Sequence, residues 1–115
     1  MNDQSTYTDL IPLKMCSATV TLDQYQSGWS LAEVESNSSP EPRSFEYYIG
    51  FDNPFSNIPV IHAGIAGFDI DNQDTNRMSL SVKEVSNSGF KVVIQTWMHT
   101  RIYMVEISWI ALGSV

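Results

Sequence analysis

Short runs of alternating apolar and polar residues fill most of the chain, and polar or proline-containing clusters separate them. The runs that favour strands are ATVTL (18–22), WSLAEV (29–34), FEYYIGF (45–51), VIHAGIAGFDI (60–70), MSLSVKEV (78–85), FKVVIQTW (90–97) and RIYMVEISWIAL (101–112). No segment keeps a 3.6-residue apolar period over successive turns. The pattern predicts an all-β domain, with six or seven short antiparallel strands in a sandwich.

The last run differs from the others because it is apolar on both faces. Strict alternation places Ile102, Met104 and Ile110 on one face and Tyr103, Val105, Ile107 and Trp109 on the other. Either this strand is central and covered within the monomer, or its second face packs against another copy of the chain.

Polar clusters predict the connections. ESNSSPEPRS (35–44), DNPFSNIP (52–59) and DNQDTNR (71–77) read as loops, and SNSG (86–89) reads as a tight turn in which Gly89 supplies a positive φ. Residues 1–16 form an N-terminal segment, and the sandwich domain is expected over 17–115.

Composition narrows the function classes. The chain of 115 residues has a net charge of −7, which disfavours nucleic acid and anionic membranes as partners. Cys16 is the only cysteine, so no intrachain disulfide forms. The N-terminus resembles neither a signal peptide nor a transmembrane helix. We expect a cytosolic chain, one exported by an unconventional route, or one whose leader has been removed.

The residues that catalysis needs are scarce. His62 lies in an apolar strand and is expected to be structural, and nothing local pairs Cys16 with a histidine. Asp69, Asp71 and Asp74 could offer oxygens to Ca²⁺, but they lack the EF-hand glycine and closing glutamate, so a solvated acidic turn is expected. No phosphate loop or zinc spacing is present in the sequence. We expect neither catalysis nor a cofactor.

A better candidate lies at the last hairpin. Arg77 closes a polar loop as a strand begins, and Trp97, Met98, His99 and Tyr103 surround the hairpin turn. Turns at one end of a sandwich come together, so Arg77 and the hairpin can share a rim. Aromatic surface suits the C–H face of a pyranose, and arginine donates to its hydroxyls. A tryptophan in this position is more often a core residue than part of a binding surface.

These residues belong to a longer ordered set of motifs. It comprises SGW (27–29), F-x-x-P-F from residue 51, P-V from residue 59, Arg77, SNSGF (86–90), TW (96–97), IY (102–103) and SWI (108–110). Over about residues 17–113 the sequence resembles the H-type lectin domain, the family of the snail agglutinins and of the C-terminal half of the discoidins. The resemblance implies a six-stranded antiparallel sandwich that assembles as a parallel trimer, with trimers sometimes stacked into hexamers.

The same resemblance implies a function. Family members bind terminal galactose or N-acetylgalactosamine in shallow pockets near protomer boundaries, without a catalytic step and generally without a metal. Arg77 matches the family's sugar-binding arginine, Trp97 the tryptophan beside the sugar, and Tyr103 the aromatic after the turn. Multivalent glycan binding by a homotrimer or hexamer is therefore the expected function.

Two positions depart from the family pattern. The snail proteins commonly have a histidine directly after the tryptophan, where this chain has Met98, and His99 follows one residue later. A one-residue step flips a strand side chain, so His99 can substitute only if the turn geometry differs. The family's acidic loop residue aligns with Pro40, flanked by Ser39 and Glu41, and Glu41 could take its role.

The candidate site is thus completed by the loop residues Ser38, Ser39 and Glu41. The disulfide of the secreted snail relatives is missing, because Asp23 and Ile94 occupy the corresponding positions. The alternative function is an assembly module that keeps the trimeric sandwich and has lost the sugar site.

Overall fold

Two three-stranded antiparallel sheets make up the computed structural model, which describes residues 12–34, 41–73 and 75–115. The strands are β1 (Leu13–Asp23), β2 (Arg43–Gly50), β3 (Val60–Ile70), β4 (Ser79–Lys83), β5 (Gly89–Thr96) and β6 (Ile102–Ser114). The first sheet has the order β1-β6-β3 and the second β2-β5-β4. The predicted six-stranded antiparallel sandwich is confirmed. The described ranges contain no helix able to cross a membrane.

One predicted strand is wrong. Residues 29–34 are turns and irregular chain, although Trp29 and Leu31 are buried two residues apart as they would be in a strand. Gly28 has a φ of +84°, and the indole Nε1 of Trp29 donates to the carbonyl of Ile102 at 2.9 Å. Alternate burial here comes from a loop folded over the end of the core.

The core lies between the two sheets. Phe90, Val92 and Ile94 of β5 are fully buried, as are Val105 and Ile107 of β6. Each is a β-branched or aromatic residue on the inward face of a central strand, and burying each stabilises the fold by about 1.5–3 kcal/mol. The two central strands therefore supply most of the core.

The predicted faces of β6 are wrong at its start. Asp69 pairs with Met104 but Ile70 pairs with Ile102, so Tyr103 is an extra residue in a β-bulge. The bulge shifts the alternation by one, and Ile102 is fully buried with Val105 instead of lying on the outer face with Met104. Sequence alternation gave no sign of this bulge.

The turn between β4 and β5 also differs from expectation. The positive φ in this region belongs to Glu84, at 53°, and not to Gly89. Gly89 begins β5 opposite Gly50, where a Cβ would lie 2.5 Å from the carbonyl oxygen of Ile49. Glycine is needed there for close approach of two strands, not for a left-handed turn.

The outer face of the first sheet is exposed and half apolar. Its apolar half contains Met15 (65% exposed), Val60 (73%), Ile110 (43%) and Leu112 (43%). Met15, Leu112 and Val60 lie side by side across the three strands. β6 is thus the central strand of its sheet, as the first alternative expected, but the residues that the structure describes leave its second face uncovered.

Candidate functional site

Most of the predicted site residues lie at one end of the sandwich. β1, β3 and β5 end there, and β2, β4 and β6 begin there. Main-chain hydrogen bonds tie its loops together, from Gln24 N to Tyr103 O at 2.9 Å and from Asp71 N to Arg101 O at 2.9 Å. We call this end, with residues 24–34, 41–43, 71–73, 75–78 and 97–103, the rim.

Arg77 lies against the hairpin turn, as the sequence predicted. Its Nη1 donates to the hydroxyl of Thr100 at 3.3 Å and to the carbonyl of Thr75 at 3.2 Å. The Thr96 hydroxyl donates to the carbonyl of Arg77. Thr96 and Thr100 are both buried and they bracket the turn that carries Trp97. Two threonines therefore fix Arg77 at the base of this turn.

The turn exposes its aromatic residue. Trp97 and Met98 are each 37% exposed, so Trp97 is not part of the core. Met98 has a φ of 59°, a left-handed conformation that costs a non-glycine residue about 1–3 kcal/mol. Strand alternation does not hold through a left-handed residue, so the turn does not force His99, which is half-buried, onto the face opposite Met98.

Tyr103 lies in the bulge that follows the turn. Its hydroxyl donates to Oδ2 of Asp71 at 3.3 Å, and Asp71 also accepts a hydrogen bond from the Gln73 amide at 3.0 Å. Burial, and after it the negative charge of Asp71, raises the pKa of Tyr103 above its ordinary value. The phenol therefore keeps its proton to a higher pH than an ordinary tyrosine does. Asp71, one of the acids considered for Ca²⁺, is engaged within the turn.

Sequence reasoning missed Arg43, the first residue of β2. Its guanidinium donates to main-chain carbonyls of the 31–33 loop and of the 98–100 turn, over distances of 2.6–3.1 Å. Burial, and secondly the positive charge of Arg101, lowers the pKa of Arg43, although arginine stays protonated at neutral pH. An arginine before an apolar strand reads as a solvated residue, so the sequence carried no signal.

The remaining predicted residues lie in or beside the loop before β2. Glu41 is exposed and precedes Arg43 by two residues. Ser38 and Ser39, like Asp74 of the acidic turn, lie outside the described residues. His62 is exposed on the outer face of the first sheet, opposite Ile110, and is not a buried structural histidine.

The chemistry of the rim suits binding of a neutral polar ligand. Arg77 offers a planar set of donors, Trp97 a flat exposed surface, and Tyr103 a phenol. Within the described ranges, no group of three or more His, Cys, Asp and Glu side chains could hold a metal ion. Two depressions of about 570 and 430 Å³ lie elsewhere, in the cleft between β1 and β2 and on the outer face of the first sheet. Neither is lined by Arg77 or by the hairpin turn, and we place the site by its chemistry instead of by its depth.

Comparisons with known proteins agree with this architecture. The model of the H-type lectin domain matches residues 46–112. Two structures of discoidin II from Dictyostelium discoideum superpose with a TM-score of 0.69 at 16% identity, over 90% of this chain and 38% and 37% of theirs. At that identity the likeness shows the fold alone.

A relative by sequence has a different kind of name. A protein of Fuscovulum blasticum called "ATP synthase subunits region ORF 7" is 34% identical over 74 residues, which is 64% of this chain and 64% of that protein. The chain thus spans less than two thirds of the length of each of these relatives. Because the family match extends from β2 to near the end of β6 and includes Arg77, Trp97 and Tyr103, the chain belongs to the H-type lectin domain family.

Proposed function

We propose that the rim binds terminal galactose or N-acetylgalactosamine on glycans, without a catalytic step. The observation that supports this most is the attachment of Arg77 to the base of the turn that exposes Trp97. Membership of a lectin domain family supports glycan binding as the general function.

Arg77 and Trp97 recognise different parts of the sugar. The Nη1 of Arg77 is already held by Thr75 and Thr100, so the guanidinium is fixed in one orientation before a sugar arrives. Fixed donors bind hydroxyls at a lower entropic cost than mobile ones. The indole of Trp97 packs against the apolar C–H face of the ring, which excludes water from the arginine–hydroxyl contact.

The other predicted residues add contacts to the sugar around Arg77 and Trp97. Tyr103 and Met98 extend the apolar surface around the turn, and His99 offers a ring nitrogen to a hydroxyl. Glu41, with Ser38 and Ser39, takes the place of the family's acidic loop residue and accepts hydrogen bonds from sugar hydroxyls. The engagement of Asp71 with Tyr103 supports leaving that acid out of the sugar site.

Several weak sites acting together complete the mechanism. A shallow site buries little area and binds one sugar weakly. We propose that the chain assembles as a trimer through the apolar half of the outer face of the first sheet, and that trimers can stack into hexamers. Linked sites then raise the apparent affinity by about 10²–10⁴ over a single site, which suits agglutination, adhesion or microbe recognition.

Binding of the labelled protein to a broad glycan array tests the proposal, with Arg77→Ala measured beside the wild type. Lys83→Ala is the matched control, because Lys83 is a cation at the other end of β4, away from the rim. Hydrogen bonds from a charged donor are worth about 1.5–3 kcal/mol, so we expect Arg77→Ala to weaken binding by about 10–100-fold.

The variants should leave the fold intact. The Thr100 hydroxyl keeps its donation to the Thr75 carbonyl, at 2.6 Å, when Arg77 is replaced. Signals confined to terminal galactose or N-acetylgalactosamine, lost in Arg77→Ala and kept in Lys83→Ala, are expected. Binding to another class of sugar, or equal binding by Arg77→Ala, would contradict the proposed site.

A second candidate function is an assembly module without a sugar site. The substitution of Met98 and Pro40 at family positions favours it, and the relative in the ATP synthase subunits region has a name that mentions no sugar. A folded oligomer that binds nothing on the array would favour this candidate.

Catalysis on glycans is the least supported alternative. Hydrolysis of a glycosidic bond needs two carboxyl groups that flank the bond, about 5–10 Å apart. Asp71, an acid of the rim, already accepts two hydrogen bonds within its own loop. We expect an aryl galactoside incubated with the protein to release no free sugar.

A further inference from the structure

Arg43 makes an unusual set of contacts for a residue at the start of a strand. Nη1 donates to the carbonyls of Leu31 at 3.1 Å and Glu33 at 2.6 Å. Nη2 donates to the carbonyls of Met98 at 3.0 Å and Thr100 at 2.8 Å. We infer that Arg43 is a positioning residue for the sugar site, because it fixes the hairpin turn against the 31–33 loop. The inference rests on the proposed function.

These carbonyls lie outside the strands, and the Leu31 carbonyl accepts from the Ile102 amide as well, at 2.8 Å. Leu31 and Glu33 lie in irregular chain and Met98 and Thr100 in a turn, outside the strands that would pair their main-chain groups. Each of the four bonds has a charged donor, and losing such a bond costs about 1.5–3 kcal/mol. One side chain supplies donors to both segments, so the segments cannot move apart without losing these bonds together.

The left-handed conformation of Met98 makes this support necessary. A methionine with a φ of 59° is strained, and such a residue persists only where its surroundings fix it. Nη2 of Arg43 bonds the carbonyl of Met98 itself and that of Thr100, two residues further on. Arg43 thus fixes the chain on both sides of His99 and directly after Trp97.

Thr100 links the position of the hairpin turn to Arg77, the arginine proposed to bind the sugar. Its carbonyl accepts from Arg43, and its hydroxyl accepts from Nη1 of Arg77 at 3.3 Å. A shift of Thr100 therefore moves the anchor of Arg77. The two arginines are joined through one threonine, although only Arg77 is proposed to touch the sugar.

Lysine cannot replace Arg43 in this role. The guanidinium is a rigid plane with several N–H groups pointing in fixed directions, which lets it reach four carbonyls in two segments. An ammonium has three donors on one atom and cannot reach both segments with good geometry. Arg43→Lys keeps the charge and the apolar stem, and it removes only the bridge.

The experiment compares Arg43→Lys with Lys14→Ala. Lys14 makes a matched control at the other end of the sandwich, where its ammonium also donates to two main-chain carbonyls, of Asn53 and Pro54. We measure binding to a surface coated with N-acetylgalactosamine, thermal unfolding, and hydrogen exchange at the amides of Ile102 and Asp71. These amides donate to Leu31 and Arg101, next to the bridged segments.

We expect Arg43→Lys to fold, to bind about tenfold more weakly, and to exchange faster at Ile102 and Asp71 while the central strands stay protected. Lys14→Ala should bind like the wild type even if its unfolding temperature falls as far. Unchanged affinity in Arg43→Lys, or faster exchange spread evenly over the sheets, would overturn the inference.

The result also separates this inference from the proposed function. A wild type that binds no glycan on any surface contradicts the proposed function, and with it the role of Arg43 at a sugar site. Exchange at Ile102 and Asp71 still decides whether Arg43 holds the turn. A wild type that binds, with Arg43→Lys indistinguishable from it, contradicts the inference alone.

Discussion

At the residue scale, the arginines and the lysines lie at different ends of the sandwich. Its three arginines, Arg43, Arg77 and Arg101, all lie at the rim, and its three lysines, Lys14, Lys83 and Lys91, lie at or towards the opposite end. Arginine bonds several oxygens in fixed directions, whereas lysine acts as a point charge. The rim therefore has directional donors in a chain whose net charge is −7.

The lysines are used differently from the arginines. Lys91 bridges Glu84 at 2.9 Å and Glu46 at 3.1 Å on the exposed face of the second sheet, and these contacts raise the pKa of Lys91. Exposed pairs of this kind add little to stability. Lys91 pairs charge on a sheet surface, whereas Arg43 and Arg77 bond main-chain and hydroxyl oxygens at the rim.

The raised pKa of Tyr103 predicts how stability changes at alkaline pH. Below about pH 9 the phenol is protonated in both folded and unfolded chains. Above that pH the unfolded chain loses the proton first, because burial and Asp71 raise the pKa only in the folded state. The free energy of unfolding therefore falls as pH rises through the pKa of the folded state.

Denaturant unfolding of the wild type and Tyr103→Phe between about pH 8 and 11 tests this prediction. We expect the wild type to lose more stability than Tyr103→Phe over that range. Tyr25→Phe is the control, since Tyr25 is 86% exposed, and it should lose as much as the wild type. Parallel curves for the wild type and Tyr103→Phe would contradict the assignment.

At the element scale, the geometry of the candidate site depends more on irregular residues near the strand ends than on the regular strands. The bulge at Tyr103 buries Ile102, and the left-handed Met98 shapes the turn. Both lie within six residues of Trp97 along the chain. Bulges and left-handed residues commonly lie next to functional sites because they change where side chains point.

Because β2 and β5 pair closely at Gly89, we expect a side chain at this position to destabilise the fold. A Cβ at this position would clash with the Tyr48 hydroxyl and would lie 2.5 Å from the carbonyl oxygen of Ile49, which the sheet holds in place. We expect Gly89→Ala to lower the free energy of unfolding by about 1–3 kcal/mol, as overpacking does.

Gly64→Ala provides the matched control in another strand, since no heavy atom lies within 4 Å of its added Cβ. It should change stability by no more than about 0.5 kcal/mol. Urea unfolding of both variants measures the difference. Equal effects of the two substitutions would show that backbone entropy, and not the clash at Ile49, sets the cost.

At the scale of the whole molecule, the outer face of the first sheet changes character along its length. Met15, Leu112 and Val60 form an apolar row near one end, and Asp23, Met104 and Asp69 form a mostly acidic row at the rim end. Exposed contiguous apolar surface of this kind marks an interface. The position of the apolar rows, away from the rim, would leave the proposed sugar sites open in an assembly.

A charge in the apolar half should separate the copies of the proposed trimer. Leu112 is 43% exposed, so Leu112→Glu costs the monomer little, whereas it would bury an unpaired charge in the interface. We expect light scattering to give the mass of a trimer for the wild type and of a monomer for Leu112→Glu. Thr21→Glu, on the polar half of the same face, should remain a trimer.

Either of two results would contradict this interface. A wild type that is monomeric at micromolar concentration has no such assembly, and a Leu112→Glu variant that keeps the wild-type mass assembles elsewhere. The glycan array is informative in the same experiment. A monomeric Leu112→Glu that keeps its rim should lose avidity on a dense surface and keep its affinity for a single sugar.

The candidate site was predictable in part. Arg77 and the hairpin were placed together from the sequence, since antiparallel strands bring alternate loops to one end, and the bond between Arg77 and Thr100 confirms the contact. Arg43 was missed because nothing local distinguishes a bridging arginine from a solvated one. Trp97 could not be assigned to core or surface until the turn geometry was known.

The sequence by itself determined the class of the fold and most of its strands. Period-two alternation is a local property, and β-branched and aromatic residues at alternate positions can bury one face only as strands of a sheet. The long runs over 60–70 and 101–112 correspond closely to β3 and β6. Only the run over 29–34 was misassigned, because a loop that covers the core buries alternate residues as well.

The tertiary structure alone decided the geometry of the rim. The bulge at Tyr103 depends on the register between β3 and β6, and the contacts of Arg43 depend on segments separated by up to 57 positions in the chain. Such contacts form only once both sheets have packed, so no local pattern encodes them. The positions of the strands follow from local sequence patterns. The geometry of the rim follows from the way in which the strands and loops pack together.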